Sequence, residues 1–256
     1  MKELSAKLLG MPPLASSNGK DVDDLIIYVH WLMLALFVGW IIYFFYVVWR
    51  FHRARNPKAD YHGVRSHFSN YIELIVAGVE AVLLIFVAVP LWAKAVEKFP
   101  PAEQSTVIYV QAQQFNWNFR YAGVDGKFGR QDVNFVSSTN VFGADPLDAN
   151  GKDDIQTLND VHVPIGKPVI MYVSSKDVIH SLKIISMRVC QDAIPGLRIP
   201  CWFTPTQEGR YQINCAQLCG NNHFAMTGGF LVVQSQDDYN KWIKSKSAVA
   251  APASYE

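Results

Sequence analysis

Near the C-terminus, the segment Asn214-Cys-Ala-Gln-Leu-Cys-Gly-Asn-Asn-His-Phe-Ala-Met226 spaces Cys215, Cys219, His223 and Met226 as C-x3-C-x3-H-x2-M. Thiolate, imidazole and thioether together favour copper over magnesium, calcium or manganese, which prefer oxygen. Zinc takes Cys and His but has little use for a thioether. A further imidazole, His180 in Asp177-Val-Ile-His-Ser181, ends an apolar, strand-like run well upstream of the cluster. A mononuclear blue-copper centre needs one Cys, two His and a weak axial ligand. Here a second Cys follows at i+4, so two thiolates that each bridge two metals would hold a dinuclear copper centre with one histidine per copper. A Cys215–Cys219 disulfide is the other reading, and it leaves His223 and Met226 without a purpose.

Such ligands need a rigid frame, and the second half of the chain supplies one. Runs rich in β-branched and aromatic residues (STVIYVQAQQFNWNFRY, KPVIMYVSS, GRYQINC, GGFLVVQ) alternate with turn-rich segments. They predict a β-sandwich or small barrel over 101–245, with one ligand on an early strand and the rest on a loop between two late strands. Within it, 122–160 reads as a loop-like insertion with seven aspartates (125, 132, 145, 148, 153, 154, 160) against Lys127, Arg130 and Lys152. It is either a solvated loop or a docking surface for a basic partner. The Ala/Ser-rich residues 246–256 read as a flexible tail.

The first hundred residues are of another kind. Leu25–Val48 holds 24 residues without a formal charge, and Ile72–Trp92 is equally apolar apart from Glu73 and Glu80. Each exceeds the roughly 20 residues that cross a bilayer. Trp31, Trp49 and Trp92 stand near the span ends, where interfacial aromatics are enriched. No cleavable signal peptide is evident before Pro12. The loop 49–71 carries Arg50, Arg53, Arg55, Lys58 and Arg65 against Asp60, whereas residues 1–24 carry Asp21, Asp23 and Asp24. The positive-inside rule puts the loop in the cytoplasm and both termini outside.

Composition agrees with a membrane-anchored protein. The chain has 256 residues, 50% hydrophobic and 18% charged, against about 25% charged in soluble domains. A net charge of +1 excludes a nucleic-acid binder driven by basicity. The apolar content excludes intrinsic disorder, and four cysteines are too few for a disulfide scaffold.

Over residues 20–245 the order of helical hairpin, aromatic strand, D-V-I-H-S, D-A-I-P-G and C-A-Q-L-C-G-N-N-H-F-A-M resembles subunit II of the haem–copper cytochrome c oxidases. The resemblance implies a transmembrane hairpin followed by a cupredoxin-like sandwich holding the dinuclear copper centre CuA. It implies that Cys215 and Cys219 bridge both coppers, that His180 and His223 bind one each, that Met226 is a weak ligand, and that the Gln217 carbonyl completes the set. The family usually has Glu at the position of Gln217, whose carboxylate also reaches a magnesium ion at the boundary with subunit I. An amide is a poorer magnesium ligand, so the resemblance carries copper further than magnesium.

Other positions match with departures. Phe115 replaces the Trp that receives the electron in the family, while Trp117 remains; Trp117 is an electron-input candidate or a core residue. Asp192 matches an acidic position near the cytochrome docking face, and alternatively caps the Ile194-Pro-Gly turn. Glu73 matches an acid at the mouth of a proton channel, and alternatively is an ordinary interfacial carboxylate. Glu80, where the family has Pro, lies about 10.5 Å deeper on nearly the same helical face; it should face protein or water rather than acyl chains. Cys190 and Cys201 flank the 192–196 turn in an oxidising compartment, which predicts a disulfide between them.

The function so implied is electron transfer within the bacterial cytoplasmic (inner) membrane, in a multi-pass subunit. A c-type cytochrome, free or held within a respiratory supercomplex, donates to CuA, and subunit I reduces O2 to water with proton pumping, alongside subunit III and membrane lipid. The alternatives are a quinol oxidase subunit that has lost CuA and a stand-alone copper-binding protein.

Overall fold

The computed structural model describes residues 2–58, 61–63 and 65–250, in two compact units. The first, residues 2–11 and 21–94, is helical: α1 (Lys2–Leu8), α2 (Gly19–Arg50), α3 (Phe68–Leu83) and α4 (Val89–Val96). Helix α2 begins before the apolar run because Asp21 in its first turn suits the positive end of the helix dipole. The same carboxylate accepts from Lys94 Nζ at 2.6 Å, which sets the start of α2 beside the end of α4 and makes the pair antiparallel.

Helices α3 and α4 are joined by a π turn, Leu84–Ala88, in which the Val89 N–H donates to the Leu84 carbonyl. Pro90 follows directly and has no N–H to return to the i−4 carbonyl, so the wider turn stands where a regular ladder would break anyway. Phe68–Val96 is thus one continuous 29-residue helical run. Trp40 is 67% exposed and no residue of α3 is buried, so these helices are not the core of a globular domain. Asp60 of the basic loop lies outside the described residues.

The second unit, residues 12–20 and 95 onward, is a two-sheet sandwich. Its strands are β1 (Thr106–Gln113), β2 (Asn116–Tyr121), β3 (Ile155–Leu158), β4 (Asp160–Pro164), β5 (Val169–Ser175), β6 (His180–Ile184), β7 (Val189–Ala193), β8 (Ile199–Phe203), β9 (Gly209–Cys215) and β10 (Gly229–Gln234). One sheet runs β3-β2-β1-β5-β8 and the other β4-β10-β9-β6-β7. The β1–β5 and β10–β4 pairs are parallel and the remainder antiparallel. Strand β1 alternates buried and half-buried positions, and its inward residues Ile108, Val110 and Ala112 pack with Phe119, Met171, Leu182, Ile213 and Leu231 from both sheets. The sandwich expected from the strand pattern is therefore present.

Residues 12–20 are part of this unit. Ala15 is fully buried in the sandwich core, its N–H donating to Ser186 and its carbonyl accepting from Thr206, both at 2.8 Å.

Two expectations need correction. The chain does not become a tail at 246: α5 (Gln236–Ala250) runs through it, and residues 251–256 lie outside the described residues. Ser235 caps α5 by accepting from the Asp238 N–H at 3.1 Å, while Trp242 stacks on His162 at 4.3 Å between ring centroids. Nor are Cys190 and Cys201 joined. Both are free thiols, on β7 and β8 in different sheets, with Cys190 Sγ 3.6 Å from Ser181 Oγ. Burial, and then the neighbouring Cys190, push the Cys201 thiol up to about 12.

Candidate metal centre

Three elements bring the soft ligands together. Strand β6 opens on His180, β9 closes on Cys215, and the loop that follows carries Cys219 into a 3-10 turn, His223–Gly228, bearing His223 and Met226. Strands β6 and β9 are neighbours, with Leu182 opposite Cys215, which sets His180 and Cys215 at the same end of one sheet. The Ala216 N–H donates to the Ser181 carbonyl at 2.9 Å and continues that pairing into the loop.

Cys219 is the hub. Its sulfur lies 4.0 Å from Cys215 Sγ, 3.3 Å from His223 Nδ1 and 3.5 Å from Met226 Sδ. His180 Nδ1 lies 3.1 Å from Met226 Sδ and 4.0 Å from Cys215 Sγ, and the Gln217 carbonyl lies 3.1 Å from Cys215 Sγ. The ligand atoms of His180, Cys215 and Cys219 all lie within 4.8 Å of one another. A sulfur separation of 4.0 Å is about twice a disulfide bond, so the disulfide reading of this pair does not fit. All six ligand positions that the family resemblance implied converge here. The donors, buried except for half-buried His223 and Gln217, whose exposed side chain leaves only its carbonyl facing inward, are those a soft transition metal takes.

The charge state of the cluster is asymmetric. Burial pushes the Cys215 thiol up, but hydrogen bonds from His180 and from the backbone at Ser181 and Gln217 outweigh it and hold the group at about 6. Burial, and then the Cys215 thiolate beside it, push Cys219 up to about 11. Burial would lower His180, yet its hydrogen bonds to Cys215 and Asp177 raise it above the ordinary imidazole value.

Asp177 was not among the residues expected to matter. Its Oδ1 meets His180 Nε2 at 2.9 Å, which leaves Nδ1 turned toward the sulfurs, and second contacts of this kind fix which nitrogen of a histidine can bind metal. The available signal was an acid three residues before the histidine in Asp177-Val-Ile-His180.

The remaining expected positions divide. Trp117 is fully buried, its ring edge-on to His180 at 6.2 Å between centroids and its Nε1 donating to the Met226 carbonyl at 3.1 Å. It has no surface from which to meet a donor directly, whereas Phe115 is half-buried. Asp192 is exposed opposite Ser181 on β7; the Ile194 turn is closed instead by the Leu197 N–H donating to the Ile194 carbonyl at 3.2 Å. Glu73 and Glu80 line one groove of about 790 Å³ between α2 and α3, together with Gly39, Trp40 and Tyr43.

Residues 106–235 match the family model of the cytochrome c oxidase subunit II periplasmic domain. The alternative cytochrome c oxidase subunit 2 of Bradyrhizobium diazoefficiens is 30% identical over 239 residues, covering 93% of this chain and 84% of that one. The chain belongs to the cytochrome c oxidase subunit II family. A probable cytochrome c oxidase subunit 2 of Rickettsia bellii is 30% identical over 254 residues, covering 95% of this chain and 86% of that one. The Cereibacter sphaeroides cytochrome c oxidase subunit 2 is 26% identical over 266 residues, with 95% and 84% covered. Members of this family are subunits of an oxidoreductase complex, and the sandwich with two apolar helices is the architecture expected of one.

Proposed function

We propose that this chain is the electron-accepting subunit of a terminal oxidase, taking electrons from a c-type cytochrome and passing them to haem in subunit I, where O2 is reduced to water with proton pumping. The observation that carries this is the convergence of His180, Cys215, Cys219, His223, Met226 and the Gln217 carbonyl on one cluster. A dinuclear copper centre bound there supplies a one-electron carrier whose single charge is shared over two metals. The protein's part is to hold the ligands rigidly: β6 and β9 fix His180 and Cys215, Asp177 aims His180, and Trp117 braces the Met226 carbonyl. Subunit III would complete the complex.

The membrane placement has its own support. Residues 12–20, which lead into α2, pack into the same unit as residues 95 onward, which supports a chain that crosses the inner membrane twice. The arginine-rich 49–71 loop then faces the cytoplasm and the sandwich the periplasm. In this placement Glu73 is a proton-uptake candidate, and Glu80 shares its groove rather than standing alone among apolar side chains. Asp192 and Phe115 are the candidates for meeting the cytochrome. Gln217 supplies no carboxylate, so no magnesium ion is assigned to this chain.

The test is the copper-loaded full-length chain in detergent. A near-infrared band and a seven-line hyperfine pattern in its EPR spectrum are expected. Four lines would indicate a mononuclear site, and no copper signal would favour a subunit that has lost the centre.

Loading should also depend on pH in a defined direction. Between about 6 and about 11 the unloaded pair carries one proton, on Cys219, which must leave before both sulfurs can bind. Apparent copper affinity should therefore rise with pH, about tenfold per unit between about pH 7 and about pH 9. His180, raised above the ordinary imidazole value, adds its own proton to be displaced toward the lower end of this range, and below about 6 the proton on Cys215 steepens the fall further. Competition against a chelator at several pH values measures this, and a flat profile would contradict the assignment of the proton.

A further inference from the structure

The loop that donates Cys219, His223 and Met226 is tied to the sandwich mainly by the β1–β2 hairpin. Its own hydrogen bonds are short-range, such as His223 N–H to the Gly220 carbonyl at 3.1 Å and Ala225 N–H to Asn222 at 2.9 Å. The longer ties come mostly from the β1–β2 hairpin, with Gln212 Nε2 of β9 adding one to the Thr227 carbonyl at 3.0 Å. Gln114 Nε2 donates to the Cys219 carbonyl at 2.7 Å, and three residues on, Trp117 Nε1 holds the Met226 carbonyl. The Gln114 backbone N–H donates to Asp177 Oδ2 at 2.8 Å, while the other oxygen of that carboxylate meets His180. Gly220 shows how tightly the loop lies on the turn. It has φ +137, and a Cβ there would come within 2.8 Å of Gln114 Nε2 and 3.0 Å of the Phe115 ring.

Gln114 thus joins two ligands that reach the cluster from different elements, His180 from β6 and Cys219 from the loop. An exposed glutamine amide is ordinarily free to hydrogen-bond water. Here both its side chain and its N–H are committed to groups one bond-path away from metal-binding atoms.

We propose that Gln114 is a positioning residue for the ligand set, fixing the distance between the His180 imidazole and the Cys219 sulfur without binding metal itself. The inference rests on the copper reading of the site. Outer contacts of this kind are worth about 10- to 100-fold in metal affinity. Because Gln114 is exposed, its loss leaves no cavity in the core, so its effect on copper separates from its effect on folding.

The experiment uses the full-length chain in detergent, with copper affinity from chelator competition, the EPR hyperfine pattern, and the unfolding midpoint of the metal-free chain. Gln114→Ala should bind copper about 10- to 100-fold more weakly with an altered hyperfine pattern. Its metal-free midpoint should stay within about 2 °C of the parent. Gln114→Glu keeps the size but turns an acceptor toward the Cys219 carbonyl, so it should lose at least as much, and it gives the same comparison if truncation unfolds the chain. Gln113→Ala, one residue earlier on β1, should leave affinity and spectrum unchanged. Parent-like affinity and spectrum in both Gln114 variants would overturn the proposal, as would an equal loss in Gln113→Ala. A parent chain that fails to take up copper would instead overturn the function proposed above.

Discussion

On the dinuclear copper reading proposed above, replacing Cys219 by Ser is expected to cut bound copper from two ions per chain to one at most. Electron transfer into the oxidase should fall by more than about 100-fold, the upper end for losing a mere outer contact. The size of the effect follows from the geometry of the hub. Cys219 Sγ lies within 3.5 Å of both His223 Nδ1 and Met226 Sδ, and it is also the partner of Cys215. Without it, His223 has no sulfur to share a metal with, and the remaining donors are His180, Cys215 and Met226, a mononuclear set. A serine hydroxyl is a hard, protonated donor near neutral pH and does not replace a thiolate for copper. The substitution nearly conserves volume, so the metal-free chain should stay folded. Copper content, EPR and oxygen uptake would be measured on the assembled oxidase. A seven-line spectrum surviving in Cys219→Ser would show that this sulfur is not shared. Cys190→Ser supplies the contrast: that thiol is free and exposed, and the same measurements should not change.

Why this site could be read from the sequence, and its surroundings could not, has a physical basis. Ligand types and spacing along one short segment are local properties, and C-x3-C-x3-H-x2-M has few other uses, so Cys215, Cys219, His223 and Met226 were legible at once. His180 was legible as a candidate from its place at the end of an apolar run, but its approach to Cys215 is a matter of strand pairing between β6 and β9. Gln114 and Asp177 gave little signal. Each acts through a hydrogen bond across 63 or more residues, or through a carboxylate whose second oxygen is spoken for by a distant backbone N–H. The apolar spans were legible in length and place, yet the π turn before Pro90 was not, since composition does not say how a helix absorbs a proline.

Two expectations fail for different reasons. Cys190 and Cys201 flank one turn and stay near neighbours across the two sheets, yet both are free thiols. Residues 246–256 look like a tail by composition, whereas α5, with Trp242 stacked on His162, runs on as far as Ala250. The aspartates of 122–160 were open between solvated loop and docking surface. Asp125, Asp132, Asp145 and Asp148 each accept from a backbone N–H two residues on, which makes them turn-formers. Asp154 is something else.

Asp154 and Arg120 form a buried ion pair, with side chains 2% and 0% exposed, and breaking it from one side should be among the most destabilising changes in the sandwich. Arg120 Nε donates to Asp154 Oδ2 at 2.9 Å, its Nη2 donates to the Gly129 carbonyl at 3.0 Å, and the Gly129 N–H returns to Asp154 Oδ2 at 3.1 Å. One carboxylate oxygen therefore ties strand β2 to the insertion at two points. Asp154→Leu leaves the guanidinium buried without a counter-charge, at a cost of about 3–5 kcal/mol. Arg120→Met strands the carboxylate in the same way, and the insertion around Gly129 loses its anchor in either case. Arg120 Nη1 and Asp154 Oδ1, however, are buried with no protein partner among the described residues, so the pair recovers only part of what its desolvation costs. The double variant Arg120→Met/Asp154→Leu should then lose clearly less than the two single losses added together, its remaining loss coming from the unpaired Gly129 N–H and carbonyl at about 1–3 kcal/mol each. Denaturant unfolding of the metal-free full-length chain would measure the three variants as a cycle. Amide exchange across 122–153 should rise in both single variants. If the double variant lost as much as the two singles added together, the charges would be acting independently, and the insertion would be held by something other than this pair.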